Sequence, residues 1–376
     1  MLIDRVDEIY YFITIFVGII SWIIIYIGYK SNNFLESIKK TDSRGLFIDL
    51  KSLRIFSILS IILYIAINYN VIIDYLFLKN KVNLFENSNG NGIFIILGGI
   101  YAFSIYYYAS YFVTNKDKIK LSYVDYIIIL SIIGIFFFTS VILGTRRNIA
   151  IVFFVILLTI TIFKEDKKYF LYFLYFLYLS IFIMSLLQIL RSGTGFIKLF
   201  DLPFFYQTII STFEGHWLSV YLSKISITDF FFGLNIQIPL DNLINYIPRI
   251  IWSEKPYNLG IMEIQSYLVP KSFNDIGFPV ITLPSTILVE IFYSFGILFG
   301  MIVMYYLGKL FRFIDELFKN NNSNILINFI FIYSYVNMFN FVRSGSAFLI
   351  QILIPLVFLL VLLRNKKRAT NEQKTI

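Results

Sequence analysis

Six basic side chains and three candidate proton acceptors carry the chemistry this sequence offers. Arg146 and Arg147 stand in Gly144-Thr-Arg-Arg147, and Arg191 heads Arg191-Ser-Gly193-Thr-Gly195. Arg249 and Lys255 belong to Ile247-Pro-Arg-Ile-Ile-Trp-Ser-Glu-Lys-Pro256, and Arg343 leads Arg343-Ser-Gly345-Ser346. A guanidinium presents a planar fork of donors, and a neighbouring glycine lets backbone N–H groups approach the same anion. Such pieces suit an oxyanion-rich group, a phosphate or a diphosphate. Taken singly, each arginine also reads as an interfacial anchor for lipid headgroups. Glu290 lies inside an apolar run, where an ionisable group costs about 2.5–3.5 kcal/mol on insertion scales and so faces a cavity or a partner. It is either a site carboxylate or a structural hydrogen bond between helices. With Glu214 and His216 it forms the set that could take a proton from a hydroxyl, with Glu254 and Asp241 behind them. His216, the only histidine, sits beside Trp217 and fits a satisfied structural role equally well.

The elements that must hold these groups divide sharply by composition. Seven of the eight prolines fall between residues 191 and 284: Pro203, Pro239, Pro248, Pro256, Pro270, Pro279 and Pro284. Proline fixes φ and removes a backbone donor, so long uninterrupted helices are disfavoured there. Trp217 and Trp252 lie in the same stretch, where they could stack on sugar rings or rest at a membrane interface. The rest of the chain is overwhelmingly apolar. Of 376 residues, 58% are hydrophobic and 15% charged, against about 25% charged in a soluble domain. The chain has no cysteine, which excludes disulfides, thiolate metal sites and cysteine nucleophiles.

Apolar runs of roughly 20 residues define an all-α polytopic membrane protein. Nine spans are expected, at about 10–28, 55–77, 93–113, 123–143, 148–163, 169–190, 285–307, 324–342 and 347–363. Segments 203–222 and 227–247 raise the count to eleven if they cross as a pair; their ionisable residues favour surface-lying or re-entrant helices. The organisation is therefore a six-helix membrane bundle (1–190), a long extracytoplasmic region (191–284), three further membrane helices (285–363) and a basic tail (364–376). Lysines and arginines crowd the first, third and fifth loops, the loop after the seventh span and the tail. Those segments share one side, the cytoplasm, if the N-terminus is outside. The net charge of +9 is thus a topology signal, and nucleic acid is not needed to explain it. On the outer side, where basic residues are disfavoured, the arginine turns recur. An anionic headgroup held at the outer leaflet accounts for them together. No Asp-x-Asp motif or His/carboxylate cluster appears on that side, so neither a divalent metal nor another cofactor is expected.

Six pieces occur in a fixed order: Gly144-Thr-Arg-Arg147, Arg191-Ser-Gly193, Phe213-Glu-Gly-His216, the Ile247–Pro256 block, Leu288-Val-Glu290-Ile-Phe-Tyr-Ser-Phe-Gly296 and Val342-Arg-Ser-Gly-Ser346. Over about residues 140–350 this series resembles the bacterial oligosaccharide repeat-unit polymerases, the Wzy type of O-antigen and capsule synthesis. The resemblance implies a GT-C-like bundle and a metal-independent glycosyltransferase on the outer face of the bacterial cytoplasmic membrane. Its implied partners are undecaprenyl-diphosphate-linked oligosaccharides, a chain-length regulator and a flippase. Its implied roles are catalysis for Glu290, Glu214 or His216 and substrate binding for Arg146, Arg147, Arg191, Arg249, Lys255 and Arg343.

Three other readings remain open. A polysaccharide ligase uses the same chemistry with a different acceptor. A lipid-linked-sugar flippase or other transporter moves substrate without forming a bond, although the absence of an internal repeat counts against inverted-repeat architectures. A purely structural membrane subunit leaves the arginine turns unexplained.

Overall fold

The computed structural model describes residues 7–31, 46–73, 99–115, 121–143, 146–164, 214–244, 247, 252–256, 259–270, 286–321, 323–338, 341, 345 and 352–365. These residues are mostly helical. Three helices are long and apolar enough to cross a membrane: Glu8–Lys30, Leu50–Ile67 and Ile287–Asn320. Shorter apolar helices occupy Tyr123–Phe138, Ile151–Ile162, Ile325–Val336 and Leu353–Leu362. The expected span at 169–190 lies outside the described residues. The chain forms two compact units, and the first helix does not group with the helices that follow it. Met1–Lys39, Tyr206–Glu316 and Asn337–Ile352 make one unit; Lys40–Phe205, Leu317–Val336 and Leu353–Ile376 make the other.

In the second unit the helix Leu50–Ile67 starts earlier than its apolar run, because the Asp49 side chain caps it by accepting from the amides of Lys51 and Ser52. It stops at Asn68, whose side-chain amide turns back to the Tyr64 carbonyl at 2.9 Å. Two short strands that hydropathy does not reveal, Leu46–Ile48 and Leu363–Asn365, pair antiparallel, Phe47 facing Arg364. They bring the approach to one helix and the exit from another to one end of the unit. At 2.8 Å the Asn328 amide donates to the Thr114 hydroxyl, and the Tyr107 hydroxyl donates to the Pro355 carbonyl at 2.6 Å.

A two-pronged ion pair in this unit joins the starts of two helices. Arg54 donates through Nε and Nη2 to the two oxygens of Asp125, both at 2.7 Å, and Ser122 adds its amide and hydroxyl at 2.9 Å. Asp125 is fully buried, whereas Arg54 keeps 31% of its side-chain surface. Arg54→Ala strands a buried carboxylate. The expected loss is about 2–3 kcal/mol, short of a fully enclosed pair because the guanidinium is partly solvated. Arg54→Lys restores the charge without the fork and should recover only part of it. Thermal unfolding of the purified variants in detergent checks both.

In the first unit, the helices Glu8–Lys30 and Ile287–Asn320 cross with backbones touching. A methyl group at Gly28 would meet the Tyr305 carbonyl, and one at Gly308 the Ile25 carbonyl. Beyond the crossing, Arg312 donates to the carbonyls of Tyr29, Lys30 and Ser31 and pairs with Glu316 at 2.6 Å, while the Tyr29 hydroxyl bonds Asp315. The last carbonyls of the first helix are thus satisfied by a cation, which also complements the helix dipole.

Candidate functional site around Glu290

Glu290 does not lie on one straight transmembrane helix. The helix Ile287–Asn320 is broken at Gly296, which adopts φ 63° and ψ −177°. The residues before the break form a half-helix that is buried continuously from Ile287 to Ser294. Thr286 starts it, its hydroxyl accepting from the Val289 amide and its carbonyl from the Glu290 amide.

The break is built jointly with a second segment. Gly233, at φ 84°, lies against Gly296, so that a methyl on either would collide with backbone of the other segment. At the end of the half-helix, the Tyr293 carbonyl accepts from the Leu234 amide at 2.6 Å and the Phe292 carbonyl from the Tyr221 hydroxyl at 3.1 Å. Carbonyls that a continuous helix would satisfy internally are here bonded across the fold, the condition for irregular backbone away from water.

Helices Glu214–Lys224, Ile227–Phe232, Ile238–Ile244 and Ile261–Leu268 contribute residues to the same apolar core as the half-helix. Tyr221, Leu218, Ile238, Ile264 and Phe292 are core residues there. Within this apolar shell Asn242 reaches Glu290, its Nδ2 donating to Oε1 at 3.2 Å. The same side chain accepts the Ile261 amide on Oδ1 at 2.9 Å, which fixes the amide orientation and presents a donor to the carboxylate. Gly260, at φ 61°, makes room, since a side chain there would strike Oδ1. Asn242 and Glu290 are each 2% exposed. Asn242 and Gly260 were invisible to pattern reading, because Ile238–Ile244 is too short a helix to show a period and the partners of Asn242 lie 19 and 48 positions away.

A second polar layer adjoins the first. Glu263 accepts from Asn235 Nδ2 on both oxygens, at 2.9 and 3.0 Å, and from the Tyr293 hydroxyl at 3.1 Å. Burial, reinforced by the negative charge of Glu263, raises the Asp241 carboxyl above the ordinary range. Glu263, missed by the sequence, thus neighbours Asp241. Among the described residues no group of three or more His, Asp or Glu side chains is placed to hold a metal ion.

The other expected site residues meet different fates. Lys255 is buried, and its ammonium donates to the Ile247 carbonyl at 2.8 Å. Glu254 and Trp252 are exposed on the same turn. Glu214 and His216 occupy the first turn of Glu214–Lys224, and Arg146 and Arg147 the first turn of Arg146–Lys164; their side chains lie outside the described atoms. Arg191, Arg249 and Arg343 lie outside the described residues. Of the nine expected positions, the described side chains are therefore Glu290, buried and hydrogen-bonded, and Lys255, folded back onto backbone.

These features define a mostly helical protein with membrane-competent helices and a buried carboxylate on a broken helix. No protein family, no curated protein and no solved structure matches the chain.

Proposed function

We propose that this protein is a membrane glycosyltransferase that joins lipid-diphosphate-linked oligosaccharide repeat units into a surface polysaccharide. The observation that supports it most is the carboxylate of Glu290, shut away from solvent and oriented by the Asn242 amide beside a segment of irregular backbone. A carboxylate so placed is suited to take the proton of an attacking sugar hydroxyl. In the reaction, the hydroxyl oxygen of the incoming unit attacks the anomeric carbon of the growing chain. The bond from that carbon to the carrier diphosphate breaks, the diphosphate departs with the bonding electrons, and Glu290 keeps the proton. Arg146, Arg147, Arg191, Arg249 and Arg343 would meet the charge that develops on the leaving diphosphate.

The proposed topology has nine to eleven spans, an outer N-terminus and a cytoplasmic C-terminus in a bacterial inner membrane. Three pairings support its parity. The strand pair, Arg54 with Asp125, and Thr114 with Asn328 each join chain segments that this topology assigns to the cytoplasmic side.

The discontinuous helix gives a second reading some weight. Transporters place substrate at breaks of this kind, so a lipid-linked-sugar flippase is the alternative. A ligase of the O-antigen type shares the proposed chemistry. Purified protein supplied with lipid-linked repeat units in detergent separates them: extension of the glycan without other components supports the polymerase, and transport without bond formation in vesicles supports the flippase. In cells, Arg191→Ala, Arg249→Ala and Arg343→Ala should each leave single-repeat glycans, with polymer reduced about tenfold or more. Glycan length profiles read the outcome, and normal polymer in all three variants would remove the arginines from the mechanism.

A further inference from the structure

The segment Ile227–Leu240 exposes apolar side chains that the described residues of its unit leave uncovered. Phe232 is 61% exposed and Ile236 70%, and Ile227, Phe231, Leu234 and Leu240 are also exposed. Between Ile227 and Leu240 the sequence has a single ionisable residue, Asp229, and it is engaged locally, with Ser226 donating to its carboxylate at 2.6 Å. A patch of this kind marks a surface meant for something other than water.

Its position identifies the partner. The Gly233–Gly296 contact fixes the segment against the break in Ile287–Asn320. Immediately past that break the helix turns its own apolar side chains outward: Leu298 and Phe299, then Ile302 and Tyr306, are all more than half exposed. This helix has an 18-residue window of mean hydropathy 2.2, and these four residues are its exposed apolar surface past the break, the composition that a lipid-facing face requires. Gly233, in the middle of the Ile227–Leu240 segment, touches this helix at Gly296, just before Leu298. We propose that Ile227–Leu240 is an interfacial membrane element, lying in the boundary between headgroups and acyl chains beside the start of the span, without crossing the bilayer. Two short helices, Ile227–Phe232 and Ile238–Ile244, joined by an irregular turn, suit this placement. The turn's backbone groups find partners in the half-helix and need not enter hydrocarbon unsatisfied. The inference is independent of the reaction catalysed.

The chain contains no cysteine, so single thiols can be introduced without background. Phe232→Cys, Ile236→Cys and Glu254→Cys would each be labelled with an environment-sensitive nitrobenzoxadiazole probe, checked for monodisperse elution, and reconstituted in phosphatidylcholine–phosphatidylglycerol vesicles. Probes at positions 232 and 236 are expected to emit to the blue of the probe at 254. Lipid nitroxides near the headgroup should quench them about twofold or more, and nitroxides at the chain terminus less. Three results would each overturn the inference. Water-like emission without quenching would place the segment in solvent. Stronger quenching from the chain terminus would place it across the membrane. Blue emission unaffected by nitroxides but lost on dilution into excess lipid would make the patch a contact between copies of the chain.

Discussion

Replacing Glu290 by glutamine should slow glycan extension by about 10²–10⁴-fold, the usual contribution of a positioned proton acceptor, while the protein still folds and inserts. The isosteric amide preserves shape and retains an oxygen that can accept from Asn242, so the packing around the half-helix survives. What disappears is the basicity. Glu290→Ala is a harsher change, because it also opens a cavity among fully buried neighbours such as Val289 and Phe292 and removes the acceptor of the Asn242 amide. The comparison separates chemistry from structure. If the glutamine variant matches wild type in elution profile and unfolding temperature yet fails to extend lipid-linked repeats, the carboxylate has a chemical role. Asn242→Asp provides the companion measurement. It substitutes a second carboxylate for the amide donor, so the pair cannot both ionise comfortably and the surviving activity should shift to higher pH. Chain extension by purified protein across pH reads both variants. A glutamine variant with unchanged rate would return Glu290 to a structural hydrogen bond and leave Glu214 or His216 as the proton acceptor.

How much of this could be read from the sequence depends on whether the signal was local. An ionisable residue in an apolar run is conspicuous by its cost, which is why Glu290 stood out before its surroundings were known. The basic loops gave a parity for the chain, and three contacts linking distant segments are compatible with it. Pairings over long separations left no such mark. Strands of three residues at 46–48 and 363–365 are too short to show alternation, and Asn242 acquires its meaning from Glu290 and Ile261. The arginine turns present the opposite case. They are the clearest pattern in the sequence, and Arg191, Arg249 and Arg343 lie outside the described residues. Gly296 was legible only as the last residue of the Leu288–Gly296 piece. Its role, ending a half-helix in backbone contact with Gly233, depends on a segment more than sixty positions away and left no local mark.

Gly296→Ala is accordingly expected to be among the most destabilising single substitutions in the chain, on the order of 4 kcal/mol or more. A residue at φ 63° and ψ −177° occupies a region that is essentially glycine's alone, and forcing a side chain there costs about 1–3 kcal/mol before any contact is counted. The contacts add to it. The new methyl would fall on the Phe231 carbonyl and the Gly233 amide, which are backbone atoms and cannot swing aside. Relief would require separating the two segments, and that would break the bond from the Leu234 amide to the Tyr293 carbonyl and leave a buried acceptor unsatisfied. Gly18→Ala is the control, because a methyl group at Gly18, in the helix Glu8–Lys30, meets nothing within 4 Å. Fluorescence-detected gel filtration after a temperature ramp should show Gly18→Ala unfolding with wild type, and Gly296→Ala lost at far lower temperature or absent from the membrane fraction. Gly233→Ala should behave like Gly296→Ala, since its methyl would meet the Ser294 carbonyl and the Gly296 amide, both at 2.6 Å. If both substitutions unfolded with wild type, the half-helix would have to be continuous with the rest of Ile287–Asn320. Glu290 would then return to the axis of a straight transmembrane span.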